Sequence, residues 1–255
     1  MLILISCAKL MKDDDERLIA GAAYHSLFSE PCFKRDADYI ASHMRRFSVG
    51  ELAQGLGVNM DIAHQNHARY HAFGHGDNPA APALFTYNGI VFKSIDTQSL
   101  SSADIAYANE HMFITSFLYG LLRPMDCIES YRLEGKFCFD LKAGLTPFKF
   151  WRERLTEHLI AAVERSGGVL CNVASGEMKS LFDWREVERR VEVLSPEFYT
   201  VKGGKMKTIV VHSKIARGLM SRYIIEHRVS TKNNLQRFDV GGYHHIGDMK
   251  FVREL

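Results

Sequence analysis

The chain has 255 residues, 46% hydrophobic and 24% charged, an ordinary globular composition that can bury a sizeable core without disulfide or metal staples. That composition excludes a disordered chain, a coiled coil and a collagen-like rod. Lys and Arg number 32 and Asp and Glu 30, a formal net charge of +2, so any nucleic-acid site must be a local patch rather than the whole surface. Cys7, Cys32, Cys127, Cys138 and Cys171 form no Cys-x-x-Cys pair and no zinc-like cluster. Their odd number and wide spacing fit reduced thiols in a cytoplasmic protein. The opening apolar run is too short for a signal peptide, and no run is long enough to span a membrane, so a soluble protein without membrane contact is expected.

In chain order, Leu2 to Ser6 reads as a short buried strand. The acidic stretch Asp13 to Glu16 fits a solvated loop or a helix start, and Asp36 to Phe47 fits a helix. Ser48 is a good N-cap, with Glu51 three residues on as its capping-box partner. The short helix that follows meets Gly55 and Gly57, and Asn59 then caps a second helix through Tyr70 that ends near Gly74 to Gly76. Leu84–Phe85 and Ile90–Phe92 flank Tyr87-Asn88-Gly89 and suggest two strands around an Asn-Gly turn. Ser101 or Ser102 caps a helix through Asn109, Met112 to Leu118 reads as a buried strand, and Ile128 to Gly135 looks extended. Thr146 or Pro147 opens a long amphipathic helix to about Arg165, and Val169 to Val173 is another buried strand. Val187 to Leu194 and Thr208 to Val211 read as strands, Ser213 as the cap of a helix through His227, and Tyr243 to Leu255 as a terminal strand. The alternation, without linker or repeat, predicts an α/β (mixed α+β) class: one compact domain over residues 1–255 with a mixed sheet and flanking helices.

Several constellations could carry chemistry. The paired helices at about 48–72, joined through Gly55-Leu56-Gly57, have the shape of a helix-hairpin-helix, in which backbone N–H groups at Gly55, Gly57 and Val58 meet a phosphate. An ordinary two-helix turn fits the same pattern. From Val201 to Leu255 the chain carries a surplus of seven positive charges. In the helix there, Lys214, Arg217, Gly218, Ser221 and Arg228 share one side, as for an anionic ligand, whereas Arg222 and Glu226 pair. Beyond the buried strand at Met112, Arg123 and Arg132 offer forked donors and Tyr119 and Tyr131 offer rings to stack on. Ser175 reads as a helix N-cap rather than a nucleophile, because no nucleophile-elbow sequence surrounds it. His67 and His71 have the i, i+4 spacing of a metal pair, but Ala68 stands where a zincin needs glutamate, so neither a metal nor a cofactor is expected.

Together these segments resemble the YaaA family of bacterial peroxide-stress proteins. The resemblance rests on Met1-Leu2-Ile3-Leu4-Ile5-Ser6 with Ala8-Lys9, Tyr87-Asn88-Gly89, Leu118 to Pro124, Tyr131-Arg132-Leu133-Glu134, Phe150-Trp151, Asn172-Val173-Ala174-Ser175 and Ala216 to Tyr223. These occur in family order along essentially the whole chain. Cys7 replaces the usual proline near the start, and Met178 stands where the family usually has an aromatic residue. The resemblance implies a mixed α/β fold with a helix-hairpin-helix and a positive cleft. It also implies DNA binding and a role in limiting free intracellular iron during hydrogen peroxide stress.

In that reading Lys9, Arg123, Arg132, Lys214, Arg217 and Arg222 line a cleft on a monomer that binds DNA without sequence specificity, including distorted duplex. The alternative is an enzyme acting on a nucleobase or nucleotide in the same cleft. Its catalytic candidates are Lys9, Glu134, Ser175 and Glu177. An iron or redox site at His67/His71 or Cys7 is a third reading, and a partner-binding module a fourth.

Overall fold

A run of five residues with no polar alternation can be buried on both faces, and β1 (Leu2–Ser6) takes that place at the centre of a sheet. The computed structural model describes residues 1–254; the end of the expected terminal strand, at position 255, lies outside them. After β1 the chain runs through α1 (Asp14–Ala22), α2 (Lys34–Met44), α3 (Val49–Leu56), α4 (Met60–Ala72), the short β2 (Ala81–Pro82), α5 (Ala83–Thr86), α6 (Ile90–Ile95) and α7 (Ser102–His111). It continues with β3 (Met112–Ser116), β4 (Gly120–Leu122), β5 (Cys127–Ile128), α8 (Pro147–Arg165), β6 (Val169–Asn172), α9 (Trp184–Arg190) and β7 (Glu192–Leu194). The C-terminal part holds β8 (Glu197–Lys202), β9 (Lys205–Lys207), α10 (Val210–His227), α11 (Lys232–Leu235), β10 (His244–Gly247) and β11 (Lys250–Glu254).

The main sheet has the order β4-β3-β1-β6-β7, with only β4 antiparallel. Ser6 pairs with Thr115 and Leu4 with Asn172, so β1, β3 and β6 end on one edge. From β1 the chain proceeds to β3 on one side, and from β6 to β7 on the other. A crevice therefore opens between the ends of β1 and β6, the place where open α/β sheets hold ligands. The second sheet, β10-β11-β8-β9, packs on α10 through a cluster of Phe198, Phe238, Tyr243 and Phe251. The mixed α/β class is as expected, and the hydrophobic core is one continuous cluster.

Four of the capping signals hold. Ser48 and Glu51 form a capping box, and Asn59, Ser101 and Thr146 each cap a helix through the side chain. Short apolar runs were less decisive. The segments expected as strands around Tyr87-Asn88-Gly89 are α5 and α6, because the Asn88 N–H bonds the Leu10 carbonyl (2.9 Å) instead of closing a hairpin. Val187 to Leu194 is helical through Arg190, with Glu186 held to Arg189 and Arg190, and only its end joins the sheet. α10 already begins at Val210, where a strand was expected, so Ser213 lies inside the helix. The terminal strand is a hairpin, β10 and β11.

Gly218 and Ser221 also differ from expectation. Both are buried where α10 crosses α6; a Cβ at Gly218 would collide with the Val91 carbonyl oxygen and lie 2.5 Å from Ser94 Cβ. Glycine here admits a helix, not an anion. Arg228 takes the left-handed position after α10 and pairs with Asp104 at 2.7 Å. In an exposed helix, Gly→Ala stabilises by up to about 1 kcal/mol. At position 218 we expect Gly218→Ala to destabilise by about 1–3 kcal/mol through overpacking, read from urea unfolding midpoints. A gain in stability would show that the crossing is looser than described.

Candidate functional site

The crevice between β1 and β6 widens into a cleft of about 630 Å³. One wall is the loop after β1, from Ser6 to Leu10. The others are the start of α6, the Tyr131–Leu133 segment, and a 3-10 turn at Gly176–Leu181 that follows Ser175. The ends of β1 and β6 are tied by side chains: the Ser175 N–H donates to Ser6 Oγ at 2.8 Å, and the two hydroxyls lie 3.3 Å apart. Ser175 thus begins the 3-10 turn without capping it through its side chain. Among the described residues no basic side chain hydrogen-bonds its hydroxyl.

Below the cleft runs a buried hydroxyl chain. Tyr131 Oη is 2.8 Å from Tyr87 Oη and 2.7 Å from Ser116 Oγ, and Ser116 Oγ accepts the Tyr119 N–H at 2.8 Å. Burial pushes the three phenols well above their ordinary pKa, so they stay neutral donors and acceptors. Tyr131 lines the cleft through this anchored position. Tyr119 does not: it is fully buried, accepts the Glu129 N–H at 3.0 Å, and cannot serve as a stacking platform.

The charges fall into two groups. Glu134 bonds Lys9 Nζ at 2.8 Å and Arg132 Nη2 at 3.1 Å, so one carboxylate serves two cations. Arg132 Nε is buried without a partner. Lys93, Lys214 and Arg217 also line the cleft, and among the described residues their side chains make no ion pair or hydrogen bond. Arg217 is half-buried, and desolvation lowers its pKa below the ordinary guanidinium value. Glu177 lines the same cleft, exposed and unpaired among the described residues. Lys214 and Arg217 reach the cleft because α10 is pressed onto α6, which forms its wall.

The structure therefore brings together Lys9, Arg132, Glu134, Tyr131, Ser175, Glu177, Lys214 and Arg217, and it excludes other expected members. Arg222 pairs with Glu226 (2.7 Å) and Asp96 (3.5 Å) and donates to the Ile95 carbonyl (2.9 Å), clamping α10 to the end of α6. Arg123 emerges at the far end of the sheet, because β4 runs back along β3 with Leu122 opposite Ile114. The α3–α4 hairpin is present, but Gly55 is required by the Phe137 ring, into which a Cβ would project. The amides of Gly57 and Val58 bond the Gln54 and Ala53 carbonyls within the hairpin, with Gly57 left-handed at φ 62°. The His67 and His71 rings lie 4.2 Å apart, tilted by 33°, His71 Nδ1 lies 2.9 Å from the His67 carbonyl, and among the described residues no third ligand joins them.

Sequence reasoning missed Ser6, Asn88 and Lys93. Lys93 was hidden by reading α6 as a strand. Ser6, as the last residue of a buried strand, was the available signal.

The fold and cleft define a class: a mixed α/β protein with a basic, apolar-floored crevice at the strand ends. The chain belongs to the family described as peroxide stress protein YaaA, whose model matches residues 1–248. It is 44% identical to a UPF0246 protein of Bacteroides thetaiotaomicron over 255 residues, covering 100% of this chain and 97% of that relative. A UPF0246 protein of Bacteroides fragilis is 44% identical over 243 residues (95% and 92%), and one of Porphyromonas gingivalis 40% over 244 residues (95% and 93%). Among the described residues no helix is long and apolar enough to cross a membrane.

Cys7 stands in the cleft wall, where burial and then the Glu177 and Glu134 carboxylates push its thiol up to about 12. A thiol protonated at neutral pH is a poor nucleophile. Cys7 should therefore react with iodoacetamide at pH 8 roughly tenfold or more slowly than the exposed Cys32, the gap closing only in strong alkali. Equal labelling rates, read by peptide mass spectrometry, would contradict this and reopen a redox role.

Proposed function

We propose that this peroxide-stress protein binds DNA through the phosphate backbone at the cleft, contacting it with Lys9, Lys93, Arg132, Lys214 and Arg217. Arg217 is the observation that carries the reading. Partial withdrawal of a guanidinium from water is unfavourable unless an anion compensates it. Here none does among the described residues, and Lys214 stands one helical turn away on the same face. The exposed α3–α4 tip would add backbone contacts through the first-turn amides of α4, in the manner of a helix-hairpin-helix. Restraint of free iron belongs to the same proposed role. Because His67 and His71 gather no third ligand among the described residues, the route we favour runs through nucleic acid.

The cleft floor favours a second reading. Ala8, Ile90, Phe117, Leu133 and Met178 give it apolar surface inside a cationic rim. Its volume falls in the range of about 300–1,000 Å³ typical of small-ligand pockets. One extruded base would fit such a floor, with Glu177 or the Lys9–Glu134 pair as acid or base.

The test is duplex binding by fluorescence anisotropy across a salt series. Replacing Lys214 and Arg217 by Ala together should weaken binding and reduce the slope of log K against log salt by about 1.8, from about 0.9 per lost phosphate contact. An unchanged slope, with the fold intact by circular dichroism, would reject the cleft as the DNA site. Tighter binding to mismatched duplex, with turnover lost in Glu177→Gln, would select the base-directed reading.

A further inference from the structure

A second basic hollow, of about 550 Å³, lies behind the cleft. Lys149, Arg152, Lys179 and Arg185 line it, with Asp183 as the acidic member. Arg152 is 58% exposed and stands 3.8 Å from Asp183, a loose pair; Arg185 is exposed and, among the described residues, unpaired. The Lys179 ammonium sits 4.8 Å over the Trp184 ring, and Trp184 is itself fixed by its N–H to Glu188 at 2.6 Å. Four cations against one carboxylate make this a strongly positive surface on a chain whose net charge is only +2.

The two hollows share a thin partition. The 3-10 turn at Gly176–Leu181 contributes Glu177 and Met178 to the cleft, then Lys179 and Ser180 to the second hollow. Phe117 lines the cleft, Phe148 lines the hollow, and their rings meet edge to face at 5.6 Å. From this continuity we propose that the second hollow binds the flank of a single strand of DNA whose neighbouring nucleotides occupy the cleft. The inference rests on the nucleic-acid reading of the cleft and adds a direction to it: the strand leaves over the 3-10 turn toward Arg152 and Arg185. The contact we assign here is to phosphates, since Lys149, Arg152, Lys179 and Arg185 supply the donors and Lys179 already occupies one face of Trp184.

The experiment uses fluorescein-labelled dT12 and the full chain, with anisotropy read from 50 to 200 mM salt. Arg152→Glu with Arg185→Glu is compared with Lys214→Ala plus Arg217→Ala. A charge-matched control, Lys232→Glu with Arg237→Glu, sits at exposed positions away from both hollows. The first pair should weaken binding at least tenfold and lower the salt slope by about 1.4, from about 0.7 per phosphate on single strands. The control should have a much smaller effect. If only the Lys214/Arg217 pair weakens binding, the cleft reading stands and the second hollow is overturned. Equal losses in the control and in the Arg152/Arg185 pair would likewise overturn it, as a bulk charge effect. Failure of the unmodified protein to bind dT12 while it binds duplex overturns the second hollow and leaves the cleft reading standing; failure to bind either overturns both.

Discussion

The backbone ladder of β1 sets the position of the strand-end groups at the cleft. Its register against β3 and β6 brings Ser6, Phe117 and Ser175 to one edge. The hydrogen bond from the Ser175 amide to Ser6 Oγ then locks the two strand ends at the crevice. A one-residue slip of β1 would turn its side chains to the opposite faces and move Lys9 off the rim. The fully buried, unalternating run Leu2–Ile5 resists such a slip, because both faces are packed.

A second constraint brings distant sequence to that edge. α10 belongs by packing to the C-terminal aromatic sheet, yet its crossing with α6 through Gly218 and Ser221 places Lys214 and Arg217 over the cleft. Arg222 reinforces the crossing by gripping the Ile95 carbonyl and Asp96. Basic residues on one helix thus divide into a structural clamp and a cleft-facing pair. The cleft combines cations on its rim with an apolar floor, an arrangement suited to a ligand that is anionic at one end and flat and apolar at the other. Beneath it, the neutral hydroxyl chain of Tyr87, Tyr131 and Ser116 supplies rigidity without adding charge.

Much of the fold was legible from local chemistry. Capping residues act within a single turn, so Ser48, Asn59, Ser101 and Thr146 marked helix starts correctly. Buried strands such as β1 and β6 announced themselves by unbroken apolar runs. Four-residue apolar runs such as Ala83–Thr86 did not, because periodicity cannot separate helix from strand at that length. The lining of the candidate cleft was legible where polar residues were read beyond a buried strand, as with Arg132 and Ser175, whereas Lys9 entered through the family resemblance. It was not legible where tertiary pairing decided: the Arg222–Glu226 pair could be read from its i, i+4 spacing, but only Asp96 and the Ile95 carbonyl, distant in the chain, consign Arg222 to structure. The role of Gly55 was likewise hidden, since Phe137 lies eighty-two residues away in the chain.

The central claim is that the crevice between β1 and β6, rather than the α3–α4 hairpin, is the principal anion site. Hydrogen–deuterium exchange of the protein with and without a saturating short DNA duplex tests it most directly. The account predicts slowed exchange at Cys7–Leu10, Asn88–Lys93 and the first half of α10, with smaller changes at Gly57–Asp61. Protection confined to the hairpin tip, with the cleft segments unchanged, would contradict it.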